Sequence, residues 1–176
     1  SRQQNPSKSE VSMKGSSSNI NTTIAYWETP IVDHRFLWLA QQAYTGLNNY
    51  FFFENDIETP ANPIYVMTIG AGETFKISDE SDSSLRIDQL LQNRPSSLRE
   101  RARSFKIWNS PLALEASYTL GMTSKEYNEI EKFQFLIITQ DETIEFLTLK
   151  EPTWEIYEGV KLEDLVIQYI KRDFQN

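Results

Sequence analysis

Near the C-terminus, apolar positions recur every three or four residues, which predicts an amphipathic helix. Two acids, Glu163 and Asp164, stand near its start, and two bases, Lys171 and Arg172, stand near its end. Both placements suit the helix dipole. The apolar positions that define the predicted helix are Leu162, Leu165, Val166, Tyr169 and Ile170.

Two pairs of apolar runs predict β-hairpins. Residues 133–139 and 143–149 are rich in β-branched and aromatic side chains and are separated by a short polar turn. Residues 64–69 are apolar on both faces, which indicates a central strand. Gly70-Ala71-Gly72 joins this strand to residues 73–77 and predicts the second hairpin.

Closer to the N-terminus, the spacing of apolar residues predicts a helix over 33–48, with Asp33 as its N-cap. The aromatic run at 50–53 favours a strand. The positions that form the stripe of the predicted helix are Phe36, Ala40, Ala43 and Leu47. Further helices are predicted at 84–93 and 124–131, and an added strand at 154–157. The short apolar segment at 24–27 fits either a strand or a docking segment.

The order of these elements predicts an α+β fold, since strands neighbour one another in hairpins instead of alternating with helices. We expect a single domain over residues 24–176, in which an antiparallel sheet built from hairpins packs against several helices. Residues 1–23 are polar and almost free of large apolar side chains. They are expected to form a flexible N-terminal arm, because such a segment buries too little apolar surface to offset its chain entropy.

The composition of the chain argues against several kinds of functional site. The chain of 176 residues has a net charge of −8, one histidine and no cysteine. Without cysteine, disulfides and thiolate metal sites are excluded, and a reducing, cytoplasmic location is expected. His34 has no second histidine for a zinc site and no nucleophile motif beside it. No catalytic residue, metal or cofactor is therefore predicted. No apolar run approaches the ~20 residues that span a bilayer.

One segment reverses the acidic charge: residues 94–106 hold five basic side chains and one acidic side chain. After Pro95, a serine is available as an N-cap, and the segment fits a helix. On that helix Leu98, Ala102 and Phe105 would form a stripe facing the core.

The same helix would carry cations along one edge, because Arg99, Arg103 and Lys106 repeat the steps of four and three. Arg101 falls on another face. Arginine forks pair well with carboxylates and phosphates. Three interpretations remain open: a face neutralised by the domain's own acids, a contact with an acidic protein, or a contact with RNA. The acidic composition of the rest of the chain favours the first interpretation.

Two other features bear on function. Trp38 lies ~200° from Phe36 on the predicted helix, away from its apolar stripe, and is a candidate anchor for a partner. Clustered carboxylates, such as Asp79 with Glu80, keep a carboxylate- or metal-dependent hydrolase open. Asp141 and Glu142 are better explained as turn residues.

The sequence predicts a non-catalytic interaction module or accessory subunit of a larger complex, whose partner is a protein with an acidic surface. An RNA-binding protein that uses the same basic helix is the first alternative, and the hydrolase is the second. The predicted partner-binding residues are Trp38, Arg99, Arg101, Arg103 and Lys106.

Overall fold

The computed structural model describes residues 23–34, 36–55, 62–79, 103–108, 112, 126 and 133–175. These residues contain nine strands and one complete helix. The strands are β1 Thr23–Tyr26, β2 Leu37–Tyr44, β3 Asn48–Asn55, β4 Ile64–Gly70, β5 Thr74–Asp79, β6 Ser104–Trp108, β7 Phe133–Ile138, β8 Glu142–Thr148 and β9 Thr153–Tyr157, and the helix is α1 Leu162–Phe174.

The strands form two antiparallel sheets. The five-stranded sheet has the order β1-β6-β7-β8-β5, and the four-stranded sheet has the order β2-β3-β4-β9. Every neighbouring pair in both sheets is antiparallel. Consecutive strands such as β2 and β3, or β7 and β8, pair as hairpins.

The inner faces of the two sheets pack against each other through aromatic side chains. The Phe51 ring of β3 meets the Phe146 ring of β8 edge-on at 5.1 Å between centroids. Trp27, which follows β1, stacks on Phe135 of β7 at 4.0 Å and lies 5.9 Å from Trp154 of β9. Edge-on and stacked ring pairs stabilise a core beyond the area that they bury. The arrangement is a β-sandwich with a largely aromatic centre.

The outer face of the four-stranded sheet is covered by α1. Side chains alternate across a strand, so Tyr50 and Phe52 turn towards α1 while Phe51 and Phe53 turn into the sandwich. This two-sided burial explains why the aromatic run at 50–53 lacks any polar alternation. A third cluster, on the outer face of the five-stranded sheet, contains Phe105, Ile107 and Leu136, all at most 2% exposed.

Several sequence predictions are confirmed. The strands at 50–53, 64–69 and 154–157 correspond to β3, β4 and β9, and the strand alternative for 24–27 corresponds to β1. The hairpin over 133–149 is formed by β7 and β8, and the C-terminal helix is α1. Among the described residues, no helix combines the length and apolar composition that crossing a bilayer requires.

The predicted α+β class is wrong, because the described chain is mostly antiparallel β-sheet and α1 is the one complete helix in it. The predicted helix over 33–48 is strand β2 and the turn after it. Leu37 and Leu39 face the sandwich, but a bulge between Leu39 and Gln41 then shifts the alternation. That shift hides the two-residue period and produces the helix-like spacing of Ala40 and Ala43.

The predicted hairpin of residues 64–69 with 73–77 is also wrong. β4 lies between β3 and β9 in one sheet, whereas β5 pairs with β8 in the other. Both edges of β4 are therefore occupied, and the glycine-containing link at 70–72 carries the chain from one sheet to the other. A short loop between two strands fits either arrangement, and the choice depends on which distant strands compete for the pairing.

The basic helix does not extend to Lys106, because Ser104–Trp108 forms β6. Arg99, Arg101 and the predicted helix at 84–93 lie outside the described residues. So do residues 1–22 of the predicted arm at 1–23, whose last residue, Thr23, begins β1. Of the predicted helix at 124–131, only Glu126 is described, and its conformation is helical.

Candidate functional site

The inward side of α1 is apolar and docks on β3 and β4. Leu165 and Tyr169 are completely buried. The Tyr169 ring lies edge-on to Tyr50 at 4.8 Å and to Phe52 at 5.6 Å between centroids. The three-four spacing places both residues of α1 on one side, so the opposite side is left facing outward.

A cluster of polar side chains holds the C-terminal end of α1 on the sheet. Tyr50 donates a hydrogen bond to Asp173 Oδ1 at 2.6 Å. Asn48 Nδ2 donates to Asp173 Oδ2 at 3.1 Å, and the Thr45 hydroxyl donates to the same oxygen. Thr45 lies in the β2–β3 turn and Asn48 begins β3. Gly46 in this turn has φ +88°, a conformation that glycine adopts without strain. Asp173 therefore links the helix to this turn.

These contacts shift two pKa values in opposite directions. Burial, together with the hydrogen bond to Asp173, raises the pKa of Tyr50 to about 12. Desolvation alone would raise the pKa of Asp173, but hydrogen bonds from Thr45, Tyr50 and Asn48 hold it below its usual range. The pair is thus stabilised as a neutral phenol donating to an ionised carboxylate.

A second polar cluster joins the middle of α1 to β9. The Tyr157 hydroxyl donates to Glu155 Oε2 and lies 2.8 Å from the Tyr169 hydroxyl. Arg172 Nη1 is 3.6 Å from Glu155 Oε1, and its guanidinium lies 4.4 Å from the centroid of the Tyr169 ring. The hydrogen bond from Tyr157 lowers the pKa of Glu155, and burial raises the pKa of Tyr169.

The outward side of α1 is the candidate site. We define the α1 outer face as Asp164, Ile167, Gln168, Lys171 and Phe174. Ile167 is 50% exposed and Phe174 is 72% exposed, although large apolar side chains usually turn inward. An open cavity of about 500 Å³ lies along this side and is lined by Asp164, Ile167, Gln168, Lys171, Arg172 and Gln175.

The α1 outer face combines exposed apolar side chains with charged ones. Its apolar side chains are flanked by charges of both signs, from Asp164 and Lys171. Two carboxylates close to this face, Glu155 and Asp173, accept hydrogen bonds in the polar clusters that hold α1 on the sheet. Within the described ranges, no group of three or more His, Cys, Asp or Glu side chains has the geometry to hold a metal ion.

The structure describes two residues of the predicted cationic edge, Arg103 and Lys106. These two residues do not lie along one edge. Arg103 precedes β6 and donates from Nε to the His34 carbonyl at 3.0 Å, while its amide donates to the Val32 carbonyl at 2.8 Å. Lys106 lies within β6, half-buried, and pairs in register with Ala25 and Phe135. Residues three apart near a strand point to opposite faces, so these two cations do not share an edge.

Two further residues considered in the sequence, Trp38 and His34, lie on β2 and just before it. Trp38 is on β2, half-buried and opposite Glu54 of β3 in the ladder. His34 Nδ1 is 3.1 Å from Asn55 Nδ2, and its ring lies 4.8 Å from the Tyr65 ring. These contacts give His34 a place in the packing at the start of β2.

The periodicity of the sequence predicts α1 but not its outer face. The signal was available in the spacing: Ile167 and Phe174 are seven residues apart, outside the apolar stripe that docks the helix. Two exposed apolar side chains at that spacing lie on one side of a helix. Comparison of the chain with protein-family models, with curated proteins and with solved structures finds no match.

Proposed function

We propose that this protein is a non-catalytic interaction module that binds a protein partner through the α1 outer face. The observation that carries the proposal is the exposure of Ile167 and Phe174 on a helix whose other side buries Leu165 and Tyr169 completely. Exposed apolar side chains bordered by polar ones are typical of protein contact surfaces. The class of function is the one expected from the sequence, but the surface is α1 instead of the basic segment.

The way in which α1 is held supports a binding role. Its inward side contributes Leu165 and Tyr169 to the core, and its last turn is fixed by Asp173. A contact surface on a rigid element loses little conformational entropy when a partner binds, and this favours affinity. Trp38, on the edge strand of the same sheet, is a second candidate contact, since tryptophan is enriched in binding hot spots.

Site-specific photo-crosslinking tests the proposal. We expect a photoreactive side chain at Ile167 to form crosslinks to protein in an extract of the native source. A matched probe at Leu149, which is 62% exposed and follows β8 in the other sheet, should form few. Adding Phe174→Ser to the Ile167 probe should reduce the yield severalfold, because part of the apolar contact is lost. Equal yields from the two probes, or a yield unchanged by Phe174→Ser, would contradict the proposal.

A further inference from the structure

We propose that the partner of the α1 outer face is a second copy of this chain, with the two helices packed antiparallel about a twofold axis. The inference rests on the proposed function, since it names the partner of the same surface. It follows from the order of charges along α1, which is complementary to itself.

The charges on the α1 outer face are placed symmetrically about the midpoint between Ile167 and Gln168. Asp164 precedes that midpoint by the same distance along the helix as Lys171 follows it. Seven residues turn the helix through about 700°, only about 20° short of two full turns, so both charges lie on nearly the same line. They are separated by about 10 Å along the axis at 1.5 Å per residue.

An antiparallel twofold pair places each Asp164 opposite Lys171 of the second copy. The axis generates this contact twice, and it brings Ile167 against Ile167 of the second copy at the centre. Gln168 meets its own equivalent on the other side of the axis, where two amides are able to exchange hydrogen bonds. The isologous arrangement needs only one surface patch, as twofold dimers do.

Other arrangements fit these charges less well. A parallel pair would set Asp164 against Asp164 and Lys171 against Lys171, and like charges in contact repel. It would also align the two helix dipoles unfavourably, whereas antiparallel packing places each N-terminus beside a C-terminus. A partner of one sign, such as RNA or a uniformly acidic protein, would attract one end of the face and repel the other.

The expected dimer is weak. α1 has 13 residues, so the contact is about 20 Å long at 1.5 Å per residue. One helix on each side buries less than the roughly 800 Å² per partner of a standard interface. We therefore expect a dissociation constant between about 1 µM and 1 mM, so dimerisation would depend on local protein concentration.

Reciprocal charge exchange tests the pairing. Lys171→Glu and Asp164→Lys should each weaken self-association of the full chain about tenfold or more, because each replaces two surface attractions with two repulsions. Mixing the two variants should restore association through a heterodimer, and the double variant Asp164→Lys with Lys171→Glu should restore the homodimer. Sedimentation velocity across micromolar to near-millimolar concentrations measures all four samples, and circular dichroism checks that each keeps its fold.

The salt dependence of the unmodified chain gives a second readout that needs no variant. Association should weaken as salt rises, because salt screens the attraction between exposed charges. The screening length is about 10 Å at 0.1 M ionic strength and shortens further at higher salt. A chain that remains monomeric up to near-millimolar concentration overturns the inference, and so does a mixture of the two variants that fails to associate. Crosslinks from Ile167 to a different protein would then keep the proposed function while excluding self-association.

Discussion

At the scale of single residues, Asp173 makes the hydrogen bonds that join the C-terminal end of α1 to the four-stranded sheet. Its carboxylate receives hydrogen bonds from Thr45, Asn48 and Tyr50, three residues at the β2–β3 turn and the start of β3. Tyr50 is 3% exposed, so its hydroxyl has little water to replace a lost partner. Leaving such a group poorly satisfied is more costly than the net gain from a typical hydrogen bond.

Asp173→Asn should therefore lower the free energy of unfolding by about 1–2 kcal/mol, because a charged acceptor becomes a neutral one. Asp141→Asn, in the exposed turn between β7 and β8, is the matched control and should change it by less than about 0.5 kcal/mol. Urea unfolding curves of the two variants measure both values. Equal effects from the two substitutions would show that Asp173 does not anchor α1.

The free energy that Asp173 and Glu155 contribute to folding should depend on pH, because the pKa values of both carboxyls are lowered. Both carboxyls have pKa values below the ordinary range, so the folded state binds their protons less readily than the unfolded state does. Their contribution to stability is complete above the unfolded values of about 4 and is lost as pH falls through the lower folded values. The penalty of Asp173→Asn should accordingly be largest near neutral pH and shrink below about pH 4.

At the scale of elements, the two sides of α1 carry different roles, and substitutions should separate them. Leu165 is completely buried against the four-stranded sheet, whereas Ile167 is half exposed on the α1 outer face. Leu165→Ala should cost about 2–4 kcal/mol, since it leaves a cavity in the packing. Ile167→Ala should cost less than about 0.5 kcal/mol. Denaturant unfolding compares the two, and a large loss from Ile167→Ala would mean that this side chain belongs to the core.

The elements that could be predicted from sequence are those whose pattern is local. α1 and the β7–β8 hairpin follow from periodicity and a polar turn alone. β2 could not be predicted, because the bulge after Leu39 breaks its alternation and the pairing that makes it a strand comes from β3. The sequence predicts the end of a helix where β6 lies for a similar reason. Phe105 pairs with β1 and β7, and Ile107 pairs with β1, which no local spacing reveals.

At the scale of the whole molecule, the two sheets and α1 form successive layers, with the aromatic sandwich core on one side of the four-stranded sheet and α1 on the other. The sequence favours an interaction module, but it predicts the contact surface on a helix that would extend to Lys106, where strand Ser104–Trp108 forms instead. The binding role of Arg99 and Arg101 stays a prediction. The α1 outer face is identified by the burial of its side chains, which distinguishes the docking side of the helix from the exposed side.

Concentration-dependent chemical shifts of the backbone amides test most directly whether the α1 outer face binds a second copy of the chain. As the concentration of the full chain rises from micromolar to near-millimolar, the largest shifts and broadening should fall on α1, centred on Ile167 and Gln168. The amides around Leu149, exposed at the far sheet, serve as the internal control and should not move. Shifts centred elsewhere, or an α1 that stays unchanged while other amides respond, would contradict self-association through the α1 outer face.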